Sequence, residues 1–94
     1  MADAAKFHKV KIDEAPTRSL AMGRGIVHRL VDPDVGSSNV DVHVNDIEPG
    51  ASRGEIHYHA RAENVYIVLD GQLEVCIEGG NRYVLDVGEA GFIP

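Results

Sequence analysis

Glu48-Pro49-Gly50-Ala51-Ser52-Arg53-Gly54-Glu55-Ile56-His57-Tyr58-His59-Ala60-Arg61-Ala62-Glu63-Asn64-Val65-Tyr66-Ile67-Val68-Leu69-Asp70-Gly71 is the chemically loaded part of this chain, with two of its five histidines. In a β-strand, residues i and i+2 point to the same face about 6.5–7 Å apart. His57 and His59 can therefore converge on one ion at ~2.0–2.1 Å, while Tyr58 faces the opposite way. Neutral imidazole suits zinc, copper, nickel and iron, and an added oxygen ligand widens the choice to manganese. The plain alternative is a pair of polar residues on a half-exposed strand.

Downstream, Val65 to Leu69 is a short apolar run ended by Asp70-Gly71, a strong hairpin signal. Leu73, Val75 and Ile77 alternate with Gln72, Glu74 and Cys76, as expected of the returning strand. Gly79-Gly80-Asn81 marks a second hairpin leading into residues 82–87, and Gly88-Glu89-Ala90-Gly91 turns again. Upstream, Val40, Val42 and Val44 alternate with Asp41 and His43, the pattern of a half-buried strand. Before it, the loop Asp32-Pro33-Asp34 and Gly36-Ser37-Ser38 is rich in turn formers. Gly23 and Gly25 interrupt the apolar residues between Ser19 and Val31, which argues for a bulged strand pair rather than a long helix. Residues 1–16 are weakly periodic and read as an N-terminal arm or an edge strand. Short strands between turn signals, with no segment that reads as a helix, predict an all-β sandwich, barrel or jelly roll.

At 94 residues the chain makes one small domain with a thin core. Nine Lys and Arg against fifteen Asp and Glu leave a net charge of −6, which argues against nucleic acid as a partner. A single cysteine, Cys76, excludes an intrachain disulfide and suits a reducing compartment. Its position between Val75 and Ile77 makes it a small core residue rather than a nucleophile. No apolar run approaches the ~18 residues of a membrane span, and Met1 to Lys9 lacks a signal-peptide core. The expectation is a cytoplasmic protein with no membrane association.

Taken whole, the segment from Gly50 to Gly71 resembles the first conserved motif of the cupin superfamily: Gly, a spacer, His-x-His, a few residues, Glu, six residues, Gly. Val87-Gly88-Glu89-Ala90-Gly91-Phe92-Ile93-Pro94 resembles the opening of the second motif, in which Gly is followed after five residues by Pro. The resemblance implies a cupin double-stranded β-helix, or jelly-roll, barrel spanning residues 1–94 as a single domain, and a homodimer. It also implies a divalent transition metal (Fe, Mn, Ni, Cu or Zn) held by His57 and His59.

Three departures bear on that site. The spacer from Gly50 to His57 is one residue longer than usual, which a loop absorbs. Asn64 stands where the family places its metal-binding Glu, with Glu63 just before it. An Asn carbonyl oxygen can ligate but brings no charge, and Glu63 can substitute only if the loop shifts by one residue. The last family ligand, a His in the second motif, falls beyond the position equivalent to Pro94. The expectation is that this sequence is the front part of a longer polypeptide, without the C-terminal strands that close the barrel.

Other polar residues carry weaker readings. Tyr66, two residues from Asn64, is a pocket residue or a packed tyrosine. His43 sits on the polar face of its strand, in solvent or in a substrate pocket. His28, with Arg24 and Arg29, forms a basic patch or a pocket mouth for an anion. Two functions follow. One is a metal-dependent enzyme acting on a small polar organic molecule by dioxygenase, isomerase, decarboxylase or lyase chemistry; the other is a non-catalytic cupin that binds a small metabolite through a degenerate metal site.

Overall fold

A computed structural model describes residues 7–51, 63–77 and 79–94. The chain divides into two compact units, Met1–Gly54 and Glu55–Pro94. His57 and His59 lie outside the described residues.

The first unit is a three-stranded antiparallel sheet, β1 (Thr17–Ser19), β2 (Gly25–Val31) and β3 (Val42–Ile47), with β2 in the middle. The hairpin joining β1 to β2 turns through Met22 (φ 64°) and Gly23 (φ 67°). Two consecutive left-handed residues match the right-handed twist of the flanking strands. Leu20 N–H donates to Gly25 O, and the Arg24 guanidinium donates to Ala21 O across the tip. The expected bulged strand pair is thus a hairpin, and the bulge itself lies between Arg29 and Val31, where the register against β3 shifts.

Val27, at the centre of β2, is 1% exposed and is the most completely buried large side chain among the described residues. Ala15, after the 3-10 turn Ile12–Glu14, is the other buried residue among the described residues of this unit. Gly25, at φ 149°, stands opposite Ile47, and a Cβ there would collide with the carbonyl oxygen of Asp46.

Between β2 and β3 the Asp-Pro-Asp loop folds into a 3-10 turn, Pro33–Val35. Asp32 caps it, its carboxylate accepting from Asp34 N–H, and Gly36 ends it in the left-handed region. The strand expected from Val40 begins only at Val42. Ser37 explains the delay: its hydroxyl accepts from Val40 N–H and donates to Val40 O, so that residue is occupied locally before the ladder starts.

Among its described residues the second unit contains two antiparallel ladders. In one, β4 (Asn64–Ile67) pairs with β7 (Ala90–Ile93); in the other, β5 (Gln72–Ile77) pairs with β6 (Asn81–Asp86). The hairpin expected at Asp70-Gly71 does not form between β4 and β5. Gly71 (φ 73°) is instead a corner that hands the chain from one ladder to the other. The β4–β7 pairing, extended by Val68 N–H to Glu89 O and Gly88 N–H to Val68 O, commits β4 to a distant partner. The second expected hairpin is real: Gly79 and Gly80, at φ 96° and 88°, join β5 to β6. Leu73 and Leu85 face each other across that ladder, and Gly91 lies so close to Leu85 that a Cβ would sit 3.2 Å from its Cδ1. This architecture is all-β, with three short 3-10 turns among the described residues.

Removing the two γ-methyls of Val27 as Val27→Ala costs about 2 kcal/mol, from lost apolar burial plus a residual cavity. In urea unfolding the midpoint falls while the slope is unchanged; a shift worth less than about 0.5 kcal/mol contradicts the packing described. Gly25→Ala breaks the β2–β3 ladder, lowering amide protection at Asp46 and Glu48, whose N–H groups face β2, at least roughly tenfold. Gly36→Ala, where a Cβ meets open space, costs only the ~1 kcal/mol of a left-handed alanine and leaves that ladder protected.

Candidate metal centre and ligand pocket

Of the sequence-predicted metal ligands, Asn64 and Glu63 lie within the described residues. Asn64 opens β4 opposite Ile93 and is half-buried, whereas Glu63 precedes the strand and is exposed. Tyr66 stands opposite Gly91, two residues from Asn64, so the two share a face of the β4–β7 ladder. The other face carries Val65, Ile67 and Phe92, all largely exposed. Strand parity therefore sets Asn64, not Glu63, on the Tyr66 side. Among the described residues, no group of three or more His, Cys, Asp or Glu side chains is arranged to hold a metal ion.

In the first unit the basic patch expected from Arg24, His28 and Arg29 is taken apart by the fold. Arg24 caps a turn. His28 and Arg29, adjacent on β2, point to opposite faces, and each meets its own carboxylates. His28 Nε2 lies 2.6 Å from Asp46 Oδ2, a diagonal contact, because Asp46 is paired with Ile26 and His28 with Val44. The other ring nitrogen of His28, Nδ1, is shielded from solvent and has no partner among the described residues. Arg29 Nη1 lies 3.2 Å from Asp34 Oδ2 and 3.4 Å from Asp32 Oδ2, tying the capped turn back to the sheet. An anion docking at a purely basic mouth is thus replaced by a neutralised cluster.

His43 stands directly opposite Arg29 in the ladder, with Nδ1 3.3 Å from Asp41 Oδ1. It lines a cavity of about 280 Å³ together with Arg18, Arg29, Asp32, Asp34 and Asp41. The sequence reading placed His43 in solvent or a pocket, and the structure brings it to this cavity. Arg18 and the three aspartates escaped the sequence reading. Their convergence depends on a hairpin and a loop closing over the same sheet face, and only the Asp-Pro-Asp turn signal pointed towards it. Cys76, expected as a small core residue, is only half-buried in β5 and lies on the Glu74 face, its Sγ 3.6 Å from Glu74 Oε1.

No helix of the described residues is long and apolar enough to cross a membrane. Comparison with curated proteins and with solved structures returns no significant match. The cupin domain family matches residues 43–94, more than half of the chain and all of both motif segments. Cupin domains commonly bind transition metals. With that match, and with antiparallel β-ladders among the described residues, the chain belongs to the cupin superfamily.

Proposed function

We propose that this cupin binds a divalent transition metal through His57 and His59, with Asn64 as an oxygen donor, and acts on a small polar organic molecule. The observation that carries this reading is the pairing of an intact His-x-His with a half-buried Asn64 on the Tyr66-bearing face of β4. Two imidazoles and an amide oxygen form a donor set that suits Fe, Mn, Ni, Cu or Zn. A metal so held supplies Lewis acidity or oxygen activation. Asn64 can orient a ligand through its amide N–H as well as ligate through its oxygen, and the Tyr66 hydroxyl can donate to a bound oxygen atom. Glu63, exposed and off the strand, has no place in this donor set. We place the protein in the cytoplasm as a homodimer, expected to show twice the mass of its own polypeptide in light scattering.

The alternative, a metabolite-binding cupin without catalysis, draws its support from Asn64 itself, because exchanging a carboxylate for an amide removes a negative charge from the ligand set. Metal analysis of protein purified without added metal separates the two. Stoichiometric metal supports the first reading, and a site still empty after loading supports the second.

The double variant His57→Ala with His59→Ala should lose metal uptake while keeping its β-type circular dichroism; undiminished metal content refutes the assignment. Asn64→Glu restores a charged oxygen donor and should tighten metal binding roughly tenfold in competition with a chelator, about 1.4 kcal/mol. Weaker or unchanged binding shows that position 64 does not reach the metal.

A further inference from the structure

We propose that the cavity of the first unit is a binding site for a small zwitterion, a molecule carrying a carboxylate and a protonated amine a few bonds apart. Strand register builds one half of it. Arg18 is paired with Val27, and Arg29 is two residues further along β2 and opposite His43. The two guanidinium groups and the imidazole therefore rise from the same sheet face, one from each strand. The capped turn at Pro33–Val35 and the start of β3 build the other half, bringing Asp32, Asp34 and Asp41 to the same cavity.

The charge pattern selects the ligand. Both aspartate contacts of Arg29 are made through Nη1, which leaves Nη2 with its hydrogens. Arg18 has no carboxylate at ion-pair distance among the described residues. A planar guanidinium fork matches a carboxylate in bidentate geometry. Asp34 and Asp41 are mostly exposed, and each uses one oxygen on its basic partner, so the second oxygen can accept from an ammonium group. Two arginines against three aspartates disfavour a dianion, and the guanidinium groups disfavour a simple cation. A dipolar ligand meets both signs at once.

Size and rigidity agree. About 280 Å³ lies at the lower edge of the ~300–1,000 Å³ range of small-molecule pockets, suited to a molecule the size of an amino acid. The wall is preorganised, because Asp32 both caps its turn and holds Arg29, and the sheet beneath is anchored by the buried Val27. All lining residues fall between positions 18 and 43, so the site shares no residue with the proposal for His57, His59 and Asn64.

The test is a titration of the isotopically labelled full chain, followed by the amide signals of Arg18, Arg29 and His43. The probes are glycine, acetate and methylammonium. Glycine should produce saturable shifts at those amides, with acetate and methylammonium each at least roughly tenfold weaker, about 1.4 kcal/mol. Arg18→Gln and Asp41→Asn should each weaken glycine binding to a similar degree while the rest of the spectrum stays in place. The proposal is overturned if glycine gives no saturable shift, if acetate matches glycine, or if either variant binds glycine as the wild type does. Metal content measured on the same wild-type sample bears only on the metal centre, so failure of one proposal is distinguishable from failure of the other.

Discussion

The register of β2 against β3, from Gly25 opposite Ile47 to Val31 opposite Val42, is the constraint on which the chemistry of the first unit depends. Side chains alternate between faces, so a slip of one residue would exchange the two faces completely. In the observed register His28 meets Asp46 on one side while Arg29 and His43 meet on the other. Gly25 holds that register sterically, because the carbonyl of Asp46 occupies the space a side chain would need. The bulge between Arg29 and Val31 lies next to the Asp32-capped turn, and the ion pairs of Arg29 bind that turn to the sheet.

A comparable constraint organises the second unit. Pairing β4 with β7, rather than with its neighbour β5, lets the β5–β6 hairpin form as an excursion between the two partners. Local turn chemistry and long-range pairing compete at Asp70-Gly71, and the long-range ladder prevails. Gly71 still does what its sequence promised, adopting a left-handed conformation, but it turns a corner instead of closing a hairpin. The same pairing sets Asn64 and Tyr66 on one face and leaves Glu63 outside the strand.

Much of the fold was legible because its signals are local. The alternating valines of residues 40–44, the Gly79-Gly80 hairpin and the glycines between Ser19 and Val31 each impose their geometry over a few residues. Boundaries were less legible: Ser37 removes Val40 from β3 through side-chain hydrogen bonds that no periodicity reports. The basic segment around His28 read as a patch because sequence places Arg24, His28 and Arg29 together. Parity along β2 and the aspartates of neighbouring elements separate them.

The sequence by itself determined the family, through His57-Tyr58-His59 and the glycine spacing to Gly71, and through Gly88 and Pro94. It also determined the strand-rich class and the identity of the residue at position 64, where an amide stands in place of a charged ligand. The tertiary structure alone decided which strands pair and therefore which polar groups meet. Arg18, Arg29, Asp41 and His43 are scattered over 26 positions, counting both ends, and converge only because three strands align in one register beneath a capped turn. The physical reason is that turn and strand preferences act over a few residues, whereas the choice of partner strand is settled by backbone hydrogen bonding and burial across the whole sheet.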